Sequence, residues 1–552
     1  MTVLNMKEKE RTELLRTLYE QARVAREEEL SLLTRHMRQY LGSDEIDGSS
    51  ERAGTVRNIT YEVIESEISA DIPLPKVEPA SFSETRSENA RTVERLCSRV
   101  KDRLPFEREN DLDERYTYVY GGSVWYVEWD STRSGGDGDV RVLCLSPTAL
   151  VPQPGVYEIE DMEYCFLELT ATRGELMRRY GITESDASRL ECEYSYGGES
   201  PENDTVRVIV GFYRDERGEV GRTVFSGEVC LSDIPCYYRR RTYVCKSCGG
   251  YSPCGCQSPE PQEALMLLEN VGEASVPYYA PHSFPIVIRK NTSAEPSLLG
   301  QSDCAIIRPE QQAINKIETR ILKKLIRAGV TPVIPEDASV TPSGSVFGEV
   351  IRMKPGDSLD RYGKVDTTPD VSQDIEEADR LYEHARRIIG ISDAHQGIEA
   401  KNESGYARAL RISQAAGRLE SKRRMKHQAY SRLYRLVFEH YLAFADLPRS
   451  LAYRDPYGRI HLAEFNRHDF IEGDGDELYF ADDYLFTVDL NSGSEYSREL
   501  LWERNLANLE SGTLGDKESP VTLLRYWQCQ ERAHYPYARE NVEYFRSIVE
   551  GS

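Results

Sequence analysis

Apolar residues at Ile314, Ile317, Ile321, Leu325 and Ala328 recur at helical spacing, and Gly329 follows as a stop. They predict a helix over 301–330, entered through Gln301-Ser302-Asp303, with Pro309 in its first turn, where a missing N–H has no partner to lose. A second helix is predicted over 369–390. Asp370, Asp374, Glu376 and Glu377 suit its positive end, Arg386 and Arg387 its negative end, and Gly390 stops it. Between the two, residues 331–368 are rich in Pro and Gly, with β-like pairs at Val346-Phe347 and Val350-Ile351, predicting a small appendage of strands and turns. A polar stretch, 391–403, then leads into a helical pattern from Ser404 to Phe444. At 1.5 Å per residue such a helix is roughly 60 Å long, too long for one ordinary core, so it must span domains.

The flanking regions alternate. Residues 6–41 carry Leu14, Leu15, Leu18, Tyr19, Leu30, Leu32 and Leu33 at helical intervals among many charges, a solvated amphipathic helix, and Ser43–Gly54 is a polar linker. Thr85–Leu104 is another helix. From Tyr116 aromatic strands are expected around Gly121-Gly122, followed by strands at Val140–Cys144, Val206–Phe212 and Val220–Cys230. Ile460–Phe465 and Tyr484–Leu490 are strands about an Asp474-Gly-Asp476 turn, which lacks the glutamate and spacing of a calcium loop. Leu500–Leu509, Pro520–Cys529 and Tyr537–Val549 are helices. The class is α+β.

A length of 552 residues implies several domains. No apolar run can cross a bilayer, and the charged Met1–Glu10 is unlike a secretory signal, so an intracellular product is expected. The net charge of −24 argues against a general nucleic-acid coat. It does not exclude a protein that must let DNA slide past, since an acidic wall repels phosphate whereas a basic one binds it through counterion release.

Two stretches carry candidate chemistry. Cys245, Cys248, Cys254 and Cys256 lie within twelve residues, with Gly249, Gly250, Pro253 and Gly255 to fold the backbone around them. Four thiolates can close a tetrahedral zinc site with no open position for catalysis, so the expected role is structural. Reduced cysteines or a disulfide are the alternatives, and Cys230 or Cys236 could substitute for a ligand. The second stretch is the long helix, where Lys401, Arg408, Arg411, Arg418, Lys422, Arg423, Arg424, Lys426, Arg432 and Arg435 stand against three glutamates in 401–442. Those cations either face phosphate or pair with acidic surfaces of neighbouring subunits. No GxxxxGK[ST], HExxH, GxSxG or GxGxxG motif is present, so no nucleotide-cradling loop is predicted.

This order of parts resembles the portal proteins of tailed bacteriophages. Gly300-Gln301-Ser302-Asp303 with Gln311-Gln312-Ala313-Ile314-Asn315 is similar to that family's entry into its first stem helix. Ile389-Gly390-Ile391-Ser392 with Ser404-Gly405-Tyr406-Ala407 is similar to its tunnel-loop region, and Thr522–Trp527 with His534-Tyr535-Pro536 to its crown. The resemblance implies a portal fold: an N-terminal helix and linker (1–56), a wing (57–300) holding a cysteine knuckle (238–260), a first stem helix (301–330), a clip (331–368), a second stem helix (369–390), a tunnel loop (391–403), a long tunnel helix (404–445), wing strands (446–494) and a helical crown (495–552). It further implies a ring, a dodecamer in the virion, at one capsid vertex, made in the host cytoplasm and conducting double-stranded DNA during packaging and ejection. The implied partners are other copies of the chain, the major capsid protein, the terminase large subunit, a head-completion or adaptor protein and a scaffold protein, with no membrane and no catalysis of its own. His395, Gln396, Lys401 and Asn402 would face DNA in the tunnel, although a lone loop histidine can equally be merely solvated. The cysteine cluster is not something the resemblance requires. A zinc-ribbon nucleic-acid-processing enzyme is the alternative from another class.

Overall fold

The computed structural model describes residues 8–43, 57–81, 83–195, 201–239, 241–245, 261–272, 274–293, 296–327, 330–333, 360, 363–366, 369–391, 405–454, 460–473, 477–489, 495–532, 535 and 537–550. The fold is mixed helix and sheet, α+β, in two compact units. One comprises residues 1–36, 68–302 and 400–552; the other comprises 37–67 and 303–399. Among the described residues no helix is long and apolar enough to cross a membrane.

The larger unit contains a six-stranded antiparallel sheet. Its path runs Leu150–Pro152, Tyr164–Thr172, Thr205–Arg214, Val220–Ser226 and Val229–Ile234, with Cys192–Tyr194 added beside Thr205–Arg214. Gly211 sits in the middle because a Cβ there would lie 2.8 Å from the Phe166 ring. The N-terminal helix Glu8–Ala25 is more than a solvated one: Leu15, Tyr19 and Ala22 pack on Val151, Phe166, Ile209 and Phe225 of this sheet. Arg11 on the same helix forms a bidentate, buried ion pair with Asp233. Charged residues on either side of the packing stripe disguised it in the sequence.

A second antiparallel sheet, ordered Ile286–Lys290, Gly122–Asp130 and Asp139–Leu145, carries the long helix Gly405–Phe444 on one face. Tyr116–Tyr120 are not strand. They close the helix Phe106–Tyr120, which Gly121 terminates in the left-handed conformation at φ 90°. Their aromatic β-propensity loses to burial, since Tyr118, Val119 and Tyr120 all face the core. Gly121 is doubly required, because a Cβ there would come within 2.1 Å of the Gly300 carbonyl. Ile460–Phe465 pairs with Arg449–Arg454, whereas Tyr484–Asp489 pairs with the distant Leu74–Pro79. The Asp474-Gly-Asp476 turn lies outside the described residues. Helices Glu495–Glu510, Pro520–Arg532 and Ala538–Glu550 pack in sequence, with buried Gln530 donating to the Trp502 carbonyl and the Tyr526 hydroxyl.

The smaller unit is built on an antiparallel hairpin of the helices Asp303–Arg327 and Ser372–Ile389. Ile307, Ile314, Ala385 and Ile389 form its core with Ile59 and Val63 of a short third helix, and Ile317, Ile321 and Ala378 form a second patch. Gln311 locks the third helix, accepting from the Thr60 amide and donating to the Arg57 carbonyl. Pro309 is not in the first turn but inside the helix. Cys304 and Ile307, both fully buried, hold the preceding turn helical against the roughly 3 kcal/mol that an interior proline costs. The second helix begins at Ser372, not Pro369, after Asp370 accepts from the Ser372 amide. It ends as predicted at Gly390, φ 98°, whose amide bonds to the Arg386 carbonyl. Between the helices, Val330–Val333 and Gly363–Asp366 form an antiparallel pair; Val346-Phe347 and Val350-Ile351 lie outside the described residues.

Candidate functional site

The long helix organises the chemistry of the larger unit. Its last turns are dominated by Tyr430, Leu433, Tyr434, Val437, Phe438, Tyr441 and Leu442, all buried. Tyr430 meets Trp125 edge-on with centroids 5.5 Å apart, and Phe438 meets Phe470 at 5.2 Å. Beneath this aromatic row lies a charge cluster that sequence reasoning missed. Arg289, 1 % exposed on strand Ile286–Lys290, directs Nη1 to Asp113 Oδ2 at 2.5 Å and to Glu114 Oε1 at 2.7 Å. From the long helix Lys426 adds its Nζ, 3.1 Å from Glu114 Oε1 and 2.6 Å from the Asp71 carbonyl. The remaining carboxylate oxygens are also satisfied: Asp113 Oδ1 accepts from Ser123 Oγ and Trp125 Nε1, and Glu114 Oε2 from the Ser69 amide. Two carboxylates therefore face two cations with no net charge. Burial alone would push the Glu114 carboxyl up, but Arg289 and Lys426 hold it below its usual range. Burial pulls the Lys426 ammonium down, with Glu114 resisting. The one visible signal in the sequence was a charge, Arg289, directly after the apolar run Ile286-Val287-Ile288.

Alongside the same helix run two adjoining clefts of about 420 and 600 Å³, which share Glu160 and Arg432. Three ion pairs line them: Arg432 with Glu160 at 3.1 Å, Lys290 with Glu158 at 2.7 Å, and Arg435 with Glu439 at 3.0 Å. Glu439 is the deepest of these. It accepts from Ser283 Oγ and Arg435 Nε, yet burial pushes its carboxyl up. Tyr279 donates to Asp482 at 2.8 Å on the opposite wall. His282 is turned to the Gly218 carbonyl at 2.8 Å. The groove is thus polar and partly aromatic.

Of the basic residues predicted on this helix, those whose side chains are described are mostly spoken for within the chain. Lys422 is buried over the Tyr118 ring at 5.0 Å, Lys426 joins the buried cluster, and Arg424, Arg432 and Arg435 pair with Glu420, Glu160 and Glu439. Arg423 is exposed. The expectation of a phosphate-facing or neighbour-pairing stripe therefore does not hold for Lys422 and Lys426, which are buried. The side chains of Lys401, Arg408, Arg411 and Arg418 lie outside the described residues, as do His395, Gln396 and Asn402. Cys245 is buried at the end of strand Arg241–Cys245, directly opposite Pro261 of the antiparallel strand Pro261–Leu265. Cys248, Cys254 and Cys256 lie outside the described residues. Cys230 and Cys236 are engaged elsewhere, with Thr12 and Glu219, and burial followed by Glu219 pushes the Cys236 thiol up to about 12. Among the described residues no group of three His, Cys, Asp or Glu side chains could hold a metal ion.

No protein-family model and no curated protein matches the chain.

Proposed function

We propose that the chain is the subunit of a portal ring: an oligomer at one capsid vertex that conducts double-stranded DNA during packaging and ejection and offers a docking site for the terminase and the head–tail connector proteins. The observation that carries this reading is an order of parts. An antiparallel helical hairpin, Asp303–Arg327 with Ser372–Ile389, is joined through a segment bearing the strand pair Val330–Val333 and Gly363–Asp366, and is followed by the forty-residue helix Gly405–Phe444. A stem, a clip and a tunnel helix require elements in that order. The net charge of −24 agrees with a conduit whose walls repel phosphate. Gln396, Lys401 and Asn402 would then touch passing DNA only transiently, through sequence-independent phosphate contacts. ATP hydrolysis falls to a separate motor protein.

The reading includes a structural zinc ion held by Cys245, Cys248, Cys254 and Cys256. Support comes from the ribbon, whose register sets Cys245 against Pro261 and so brings the two ends of the cysteine-bearing connection together. Four thiolates would staple that connection and leave no site for chemistry.

Light scattering after size-exclusion chromatography, with negative-stain images of the same fractions, tests the ring. Rings with a central hole are expected; a chain that stays monomeric at micromolar concentration at every salt concentration overturns the proposal. Elemental analysis of protein purified under reducing conditions without chelators should find one zinc per chain, and metal-free protein would remove the zinc.

A further inference from the structure

The larger of the two clefts beside the long helix, about 600 Å³, has the volume of a small-molecule site. Its apolar lining includes Tyr279 and Phe480 from one side and Leu436 of the long helix from another, each more than nine-tenths buried. The Tyr279 and Phe480 rings meet edge-on, with centroids 6.0 Å apart.

The charged groups of this cleft are not equivalent. Arg432 is taken by Glu160 at 3.1 Å and Arg435 by Glu439 at 3.0 Å, while Asp482 accepts from the Tyr279 hydroxyl at 2.8 Å. His282 spends Nδ1 on the Gly218 carbonyl. Arg214, at the end of strand Thr205–Arg214, differs from the other two arginines: it meets no carboxylate among the described residues. Its Nε donates to the Met162 carbonyl at 2.9 Å, and its Cζ lies 4.7 Å from the centroid of the Phe284 ring. The carbonyl and the ring hold the guanidinium plane in place, and the two Nη groups remain as a fork of the shape that takes a carboxylate in a bidentate manner. A cation fixed in advance loses little freedom when a ligand arrives. Glu160, Glu439 and Asp482 on the same cleft limit how much negative charge it accepts. One added negative charge answers Arg214; a second meets acids that are already present.

We propose that this cleft binds an amphipathic monocarboxylate, with the carboxylate on the Arg214 fork and the apolar body against Tyr279, Leu436 and Phe480. A small free acid and the C-terminal carboxylate of a polypeptide ending in an apolar residue share that chemistry. A nucleotide or a nucleic-acid strand carries several negative charges and is disfavoured by the same three acids. The site lies wholly in the larger unit and does not depend on ring formation.

Isothermal titration calorimetry of the full-length chain with phenylacetate tests it. Saturable binding at one site per chain is expected. Phenylacetamide, which keeps the ring and loses the charge, and acetate, which keeps the charge and loses the ring, should each bind at least roughly tenfold more weakly. Arg214→Met should weaken phenylacetate binding by roughly tenfold or more. Ala280→Phe, at a half-buried position lining the cleft, takes up space there and leaves Arg214 in place, and should weaken binding as well. It decides the matter should circular dichroism show that Arg214→Met unfolds. No saturable binding of phenylacetate up to about 20 mM overturns the proposal, as does phenylacetamide binding equally well. Unchanged binding in either folded variant overturns it too, because the site then lies elsewhere. Tighter binding of phenyl phosphate, a dianion above neutral pH, would overturn the restriction to one negative charge. The source is read from acetyl-glycyl-phenylalanine with a free carboxylate: binding tighter than phenylacetate assigns the cleft to a polypeptide C-terminus, and weaker binding assigns it to a small free acid.

Discussion

Two helices rich in lysine and arginine use them differently. On Gly405–Phe444, Lys422 and Lys426 turn inward, to the Tyr118 ring and to Glu114, and most other described cations find carboxylates in the same chain. On Asp303–Arg327, Lys316, Arg320 and Lys323 are exposed, and Arg320 meets Asp374 of the partner helix there. In sequence both are basic helices. The difference lies in what each covers. The long helix lies on a sheet into which the neighbouring helix Phe106–Tyr120 projects Asp113 and Glu114, so its cations neutralise charges that would otherwise be buried alone. The hairpin helix meets its partner through isoleucine and alanine, and Arg320 and Lys324 reach Asp374 of that partner while staying partly exposed. Basic character alone therefore does not mark a phosphate-binding surface; the burial of the groups beside it decides.

The comparison breaks most readily at Arg289. Replacing it with methionine keeps much of the volume but leaves Asp113 and Glu114 with Lys426 as their remaining cation, and losing one partner of a buried pair costs about 3–5 kcal/mol. Urea unfolding of the larger unit should show a loss of that size. A loss below about 1 kcal/mol would mean that water reaches the cluster and that the inward cations do not differ in kind from the outward ones.

Two buried carboxylates sharpen the same contrast through pH. Glu114 is held below its usual range, so its contribution is present above the unfolded value near 4.5 and is lost as pH falls through the folded value. Glu439 is raised by burial, against Ser283 and Arg435, so its sign is reversed: its contribution is present below the unfolded value and is lost as pH rises through the folded one. Glu439→Gln should therefore remove a fall in stability on going from pH 4 upward, with little effect at the acid end. Thermal melts of parent and variant across that range check the sign. Parallel pH curves for the two proteins would show that Glu439 titrates as it does in the unfolded chain.

What the sequence made legible was mostly local. Gly390 announced a helix end because a left-handed C-cap needs only its own residue, and the apolar stripe from Ile314 to Ile321 found the hairpin seam because its period is local too. The failures were nonlocal. Nothing near Leu74–Pro79 says that its strand partner is Tyr484–Asp489, and nothing near Pro309 says that Cys304 and Ile307 are buried deeply enough to keep the helix running through it. Tyr116–Tyr120 have the composition of a strand, yet the helix is chosen by its packing on the strand that follows. The charge cluster was missed because its members come from four separate stretches, around residues 71, 113, 289 and 426.

The smallest expected effect is at the surface of the long helix, and it completes the comparison. Arg432 and Glu160 approach to 3.1 Å, but their side chains are 42 and 52 % exposed, and both rim the cleft beside the helix. At that exposure the attraction is screened and two flexible side chains must be ordered to hold it, so Arg432→Gln should change stability by no more than about 0.5 kcal/mol. The same helix would then carry, within two turns, one cation whose loss is severe, Lys426, and one whose loss is nearly silent. Burial, rather than membership of the helix or distance to a carboxylate, would be the variable separating them, since Lys426 and Arg432 stand equally far from their partners, 3.1 Å in each case. Parallel urea titrations of Lys426→Met and Arg432→Gln give the test, and equal losses in the two variants would defeat the explanation by burial.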